Sequence, residues 1–203
     1  MTTYSNLKYD HAFSSNATGT GSLTLISSQT ASASSSISFT SGIDSTYDEY
    51  VFKIINCHPS VNNSLFSFNF SSDNGSNYNV VKTSTYFSTY HYESDASATL
   101  VDESSYTGFG CAQYSGYQYF GENVGANNND ECISGYLHLF QPSSSTYVKH
   151  FIGANDYIYN AGSSYDMTNY LAGYGNTTSA INAVDFKFSS GTITGTIKMY
   201  GIA

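Results

Sequence analysis

The chain has 203 residues, of which 40% are hydrophobic and only 10% charged, with a net charge of −9. Its cations are six lysines and no arginine, so the bidentate fork that reads phosphates and base edges is missing and an acidic surface repels nucleic acid. Twenty tyrosines and 13 phenylalanines exclude a disordered Ser/Thr-rich chain, which would be poor in aromatics.

No apolar run approaches the ~20 residues needed to cross a bilayer as a helix, and residues 1–8 lack the apolar stretch of a signal peptide. Neither membrane insertion nor general secretion is expected. Three widely spaced cysteines, Cys57, Cys111 and Cys132, form neither a disulfide framework nor a CxxC metal pair. They are expected as buried free thiols, with a Cys111–Cys132 bridge as the alternative.

Residues 1–21 scatter Tyr4, Leu7, Tyr9 and Phe13 without a period and read as an irregular arm; residues 22–203 read as one β domain. Residues 23–26 form a first strand. Ala31, Ala33, Ser35, Ile37 and Phe39 alternate with Ser or Thr through Thr40, which predicts a strand with small inward residues.

The stretch from Tyr50 to Cys57 is the most continuously apolar in the chain. Its β-branched and aromatic content favours a strand over a short helix. Apolar residues on both faces (Tyr50, Phe52 and Ile54; Val51, Ile55 and Cys57) predict a central strand covered on both sides. Lys53 within it must snorkel or find a carboxylate.

Phe66, Phe68 and Phe70 alternate with Ser67 and Asn69. Asp73-Asn74-Gly75-Ser76 then predicts a tight hairpin into a strand over residues 78–81, because Asn-Gly supplies positive φ. Residues 83–93 read as a long strand. Residues 108–130 lack a period and read as long loops with a short strand at 117–120. Further strands are expected at 132–140, 147–152, 170–174, 184–188 and 193–202, the second pairing with the first as a hairpin. Ile133, Leu137 and Leu139 share a face, as do Ile193, Ile197 and Met199. No helix and no tandem repeat is found. Eight to ten strands with frequent turns give an all-β fold, an antiparallel two-sheet sandwich with a jelly roll as the leading topology.

The chain carries none of the nucleophile-elbow, P-loop, zincin or dinucleotide motifs. His91, His138 and His150 lie on strand-like segments and would bind a metal only if the fold brought them together. They are read as polar residues on half-exposed strand faces. Asp102-Glu103 and Asp130-Glu131 are adjacent carboxylates, but neighbours on a strand point to opposite faces, so neither makes a glycosidase pair alone. The loop Asn127-Asn128-Asn129-Asp130-Glu131 is oxygen-rich, yet lacks EF-hand spacing; a solvated turn is the reading taken, with Ca²⁺ as the alternative. No catalytic, cofactor or metal residue is assigned. Tyrosine offers large apolar area at low entropic cost together with a hydroxyl, which suits subunit interfaces.

Residues 39–59, 135–151, 173–182 and 186–202 together resemble a family of small virion structural proteins from tailed phages of marine bacteria, including cyanophages. These stretches include Ser41-Gly42-Ile43-Asp44, Phe140-Gln141-Pro142-Ser143 and Gly173-Tyr174-Gly175-Asn176. The resemblance covers most of residues 22–203, and its motifs are structural. It implies a non-enzymatic virion component assembled in the host cytoplasm. The expected job is capsid decoration, as a homo-oligomer such as a trimer in contact with major capsid or tail proteins. A tail-fibre or receptor-binding head would instead present the loops around residues 108–131 to a host glycan. The absence of a shaft or coiled-coil segment favours decoration. A glycan hydrolase is the reading from a third class.

Overall fold

The computed structural model describes residues 22–102, 107–160 and 164–202. The expected arm over residues 1–21 lies outside the described residues, as does Glu103.

Among the described residues there are twelve strands and no helix. The first six are β1 (Leu23–Ser34), β2 (Ile37–Phe39), β3 (Glu49–Pro59), β4 (Ser64–Ser71), β5 (Lys82–Tyr92) and β6 (Ala98–Asp102). The rest are β7 (Gln118–Val124), β8 (Ile133–Phe140), β9 (Lys149–Asn160), β10 (Ser164–Gly175), β11 (Ala183–Phe188) and β12 (Ile193–Ile202). Every pairing among them is antiparallel.

In a jelly roll of eight consecutive strands, one sheet runs first, eighth, third, sixth, and the facing sheet second, seventh, fourth, fifth. With β5, β6, β9 and β10 set aside, the order β1-β12-β3-β8 and β2-β11-β4-β7 matches that pattern. The four remaining strands are two insertions that meet. β9 adds to β8, β10 to β9, β5 to β10 and β6 to β5, so the first sheet grows to eight strands. A single pair, Val124 with Tyr159, links the two layers of the expected sandwich, which makes the ladder continuous.

Aromatic rings fill the space between the layers. Phe52 on β3 meets Phe39 on β2 edge-on at 5.4 Å, and Phe151 on β9 meets Phe68 and Phe70 on β4 at 5.6 and 5.5 Å. The alternation of Phe66, Phe68 and Phe70 puts all three in this core, as do Ile133, Leu137 and Leu139 on β8 and Ile193, Ile197 and Met199 on β12. The opposite face of β4 is also buried, because Ser67 and Asn69 are covered by neighbouring loops.

β3 is central, flanked by β12 and β8 over most of its length. Among the described residues it is not covered on both sides. Tyr50, Phe52 and Ile54 are buried, whereas Lys53 and Ile55 on the other face are exposed. Cys57 does not share that second face: Asn56 at φ 48 forms a bulge that shifts the register between Ile54 and Cys57 and turns the thiol into the core. The bulge fits against Gly195 at φ 149, where an added Cβ would stand 2.7 Å from the Asn56 carbonyl oxygen.

Three other expectations are corrected. The single strand expected over residues 31–40 is broken at Ser35-Ser36, and its halves enter different layers as the end of β1 and as β2. The Asn-Gly turn forms, with Asn74 at φ 59 and Gly75 at φ 82, but residues 78–81 are not a strand and no hairpin is made. One backbone bond, from Val80 N–H to the Phe70 carbonyl, is formed before the chain leaves for β5. β6 was not expected at all; its five residues carry almost no burial signal.

Candidate functional site

Strand alternation gives the eight-stranded sheet a second face, turned away from the core. Register fixes which residues share it. One row runs Phe87, Tyr170, Ala154, Tyr136, Lys53, Lys198 across β5, β10, β9, β8, β3 and β12. The next runs Thr85, Ala172, Ile152, His138, Val51, Tyr200 and on to Leu25 of β1. A third includes Tyr174 beside His150, and Phe140, Glu49, Ile202 and Leu23 in register.

Much of this face is apolar and open. Ile152 is 50% exposed and Leu25 52%, and Leu23, Phe87, Tyr136 and Tyr170 are also exposed. Phe87 and Tyr170 stack at 5.1 Å across β5 and β10, and Leu100 of β6 extends the surface at 63% exposure. Shallow depressions fall between the side chains. One of about 450 Å³ includes Thr85, Ile152, Ala172 and Tyr174, and one of about 430 Å³ includes Leu23, Val51, Tyr136 and Ile202. Scattered exposed apolar side chains are ordinary, but a contiguous set on one face marks a contact surface.

Charge on this face is sparse and sorted. Lys53 and Lys198 lie directly opposite each other on β3 and β12, and the Lys53 ammonium stands 5.6 Å from the centre of the Tyr200 ring. Like charges in such a pair repel, which offsets the attraction of Lys53 to the Tyr200 ring. Two rows away, Glu49 accepts from the ring of His138, which lies in the row between. At the far end, Asp156 and Asp166 approach across β9 and β10; burial, and then the Asp156 charge, raise the Asp166 carboxyl above its ordinary value.

The inner face of the extension, beyond the jelly-roll layers, holds a tyrosine cluster. Tyr159 stacks on Tyr165 at 4.5 Å, and Tyr90 and Tyr92 close on Tyr165 at 5.2 and 4.8 Å. The Asn123 amide donates to the Tyr159 hydroxyl at 2.8 Å.

The histidines do not converge. His91 pairs with Asp95 at 3.0 Å on one end of the sheet, His138 with Glu49 in the middle, and His150 packs on Tyr174. Among the described residues no group of three or more His, Cys, Asp or Glu is placed to hold a metal ion. Asp102 on β6 and Asp130-Glu131 before β8 are separated by four strand spacings, about 19 Å, far beyond a glycosidase pair. Glu131 is buried, and its carboxylate accepts the backbone N–H groups of Asn127 and Asn128. The loop therefore closes on its own carboxylate with donors where a cation would need oxygens.

The cysteines are free, with Cys57 and Cys111 buried and Cys132 only half-buried. The Cys111–Cys132 bridge is not formed: Cys111 N–H donates to Ser84 on β5, whereas Cys132 lies beside Asn56 of the β3 bulge. Of residues 108–116, expected as loops, Gly108, Phe109 and Cys111 turn inward, and the short strand expected at 117–120 is the start of β7. Phe109 and Gln118 are buried, the Gln118 amide donates to the Gly108 carbonyl at 3.0 Å, and Ser84 donates to the Gln118 side-chain oxygen at 2.7 Å.

Comparison of the chain with protein-family models, with curated proteins and with solved structures finds no match.

Proposed function

We propose that the chain is a non-enzymatic structural protein of a phage virion, a capsid decoration protein, held among its neighbours by the outer face of its eight-stranded sheet. The observation that carries this reading is that face: a surface where Tyr136, Ile152 and Tyr170 are open and where, within the three rows, lysine and carboxylate side chains are confined to β3 and β12. Interfaces are depleted of charge at their centre and enriched in tyrosine, and this surface has that composition. The virion assignment rests on the resemblance to small structural proteins of marine tailed phages. The low-charge, tyrosine-rich composition and the jelly-roll strand order, which occurs among capsid domains and lectins, are in keeping with it.

Cryo-EM of the particle that carries this protein tests the reading. Density for the twelve-stranded domain on the capsid lattice is the expected result, and density confined to the tail overturns decoration.

The tyrosine cluster favours one second reading, a receptor-binding head for host glycans. Stacked rings beside the Asn123 amide offer the apolar platform and polar rim that sugars need. Glycan-array binding by the isolated protein, lost in Tyr165→Ala, supports it; a blank array removes it.

A further inference from the structure

We propose that the outer face is covered by a second copy of this chain, packed face to face about a two-fold axis that runs across the strands along the row Ala172, Ile152, His138, Val51. This rests on the reading of that face as an assembly surface and names its occupant.

The argument comes from register. A two-fold axis along that row leaves each strand opposite itself and reverses its direction, so the row on one side of the axis meets the row on the other. Tyr136 then faces Phe140 of the second copy, Tyr170 faces Tyr174, and Lys53 faces Glu49, because each pair lies on one strand, four residues apart, centred on the axis. Ile152, near the middle of the sheet and half-exposed, meets its own copy at the centre. Lys53, without a carboxylate partner on its own chain among the described residues, meets the Glu49–His138 pair of the second copy across the interface, while Lys198 comes opposite Ile202.

Area agrees. Seven strands, each about 4.8 Å wide, and three rows, each about 7 Å deep, give a patch of roughly 34 by 20 Å. Two such patches bury about 1,300 Å², within the range of stable specific interfaces. An isologous contact of this kind is the commonest way for identical chains to pair.

Sedimentation of the full chain tests the proposal. At ~50 µM the wild type is expected as a dimer. Ile152→Asp, on a half-exposed position that the fold does not need, is expected as a folded monomer with at least a tenfold weaker association. Lys53→Glu and Glu49→Lys should each weaken association about tenfold, and the double variant should recover it. In a Cys132→Ala background, a short bismaleimide should link Ile152→Cys chains into dimers but not Val61→Cys chains, since Val61 is exposed away from this face. A monomeric wild type overturns the inference, as does a dimer that persists in Ile152→Asp. Either result leaves the virion reading to particle imaging, and absence from particles leaves the dimer intact.

Discussion

The ammonium of Lys82 lies 2.5 Å from the side-chain oxygen of Asn69, and neither residue is exposed to solvent. Carbonyls of Val80 and Gly116 accept its other two protons, both at 2.9 Å. The Asn69 amide in turn donates to the carbonyls of Tyr78 and Ser115, at 2.6 and 3.0 Å. A buried cation thus ties β4 and the start of β5 to the segments before β5 and β7. Lys82→Ala would leave the Val80 and Gly116 carbonyls without this donor, and the Asn69 oxygen with the Phe70 N–H alone, and should cost about 3–5 kcal/mol in a urea melt. A loss under about 1 kcal/mol would mean that the ammonium holds nothing in place.

Phe52 is fully buried between Phe39 and Phe186, with ring centres at 5.4 and 5.5 Å. Phe52→Ala opens a cavity between the layers and should cost about 3–5 kcal/mol. Ile55→Ala, three residues on but exposed, should stay within about 1 kcal/mol, and equal losses would contradict the facing described for β3.

Gly195 is required by the Asn56 bulge. With φ at 149 and an added Cβ 2.7 Å from both the Asn56 oxygen and the Cys57 Cα, Gly195→Ala must push the two strands apart. A loss of about 1–3 kcal/mol is expected, read as a fall in Tm of about 2–4 °C per kcal/mol. An unchanged Tm would show that the bulge adapts.

Alkaline pH should separate two buried groups. Burial raises the Cys57 thiol from 9.0 to about 12, so the stability it contributes is complete below pH 9 and falls as pH rises towards 12. Burial lowers Lys82 from 10.5 to about 8, so its penalty is present below pH 8 and is relieved between 8 and 10.5. Urea midpoints for Cys57→Ala should therefore fall less steeply above pH 9 than those of wild type. Parallel profiles would contradict a buried neutral thiol.

Much of this fold is legible in the chain. Phe66, Phe68 and Phe70 announce a core face by period alone, and Ile133, Leu137 and Leu139 do the same for β8. The features that escape have local physical causes. A bulge at Asn56 moves Cys57 to the other face, and no periodicity rule carries that extra residue. Ser35-Ser36 continues an alternating pattern while the backbone changes layer. The Asn-Gly turn reports only its own φ angles, so it cannot say that β4 pairs with β7 and β11 instead of with residues 78–81. Lys82 and Lys149 are fully buried, against the ordinary habit of lysine.

The candidate surface was legible only by halves. Apolar residues on both faces of the Tyr50–Cys57 stretch read as a strand covered twice, yet among the described residues nothing covers its second face fully: Val51 is buried while Lys53 and Ile55 stay open. Rows such as Ile152–His138–Val51 exist only after register is known, because they join strands far apart in sequence.

Hydroxyl-radical footprinting of the native protein, read residue by residue against Val61 as an exposed reference, tests the assembly surface most directly. Burial of the outer face in an assembly requires Tyr136, Ile152 and Tyr170 to be oxidised several-fold more slowly than their exposure in the single chain implies. Oxidation of all three in proportion to that exposure would contradict it.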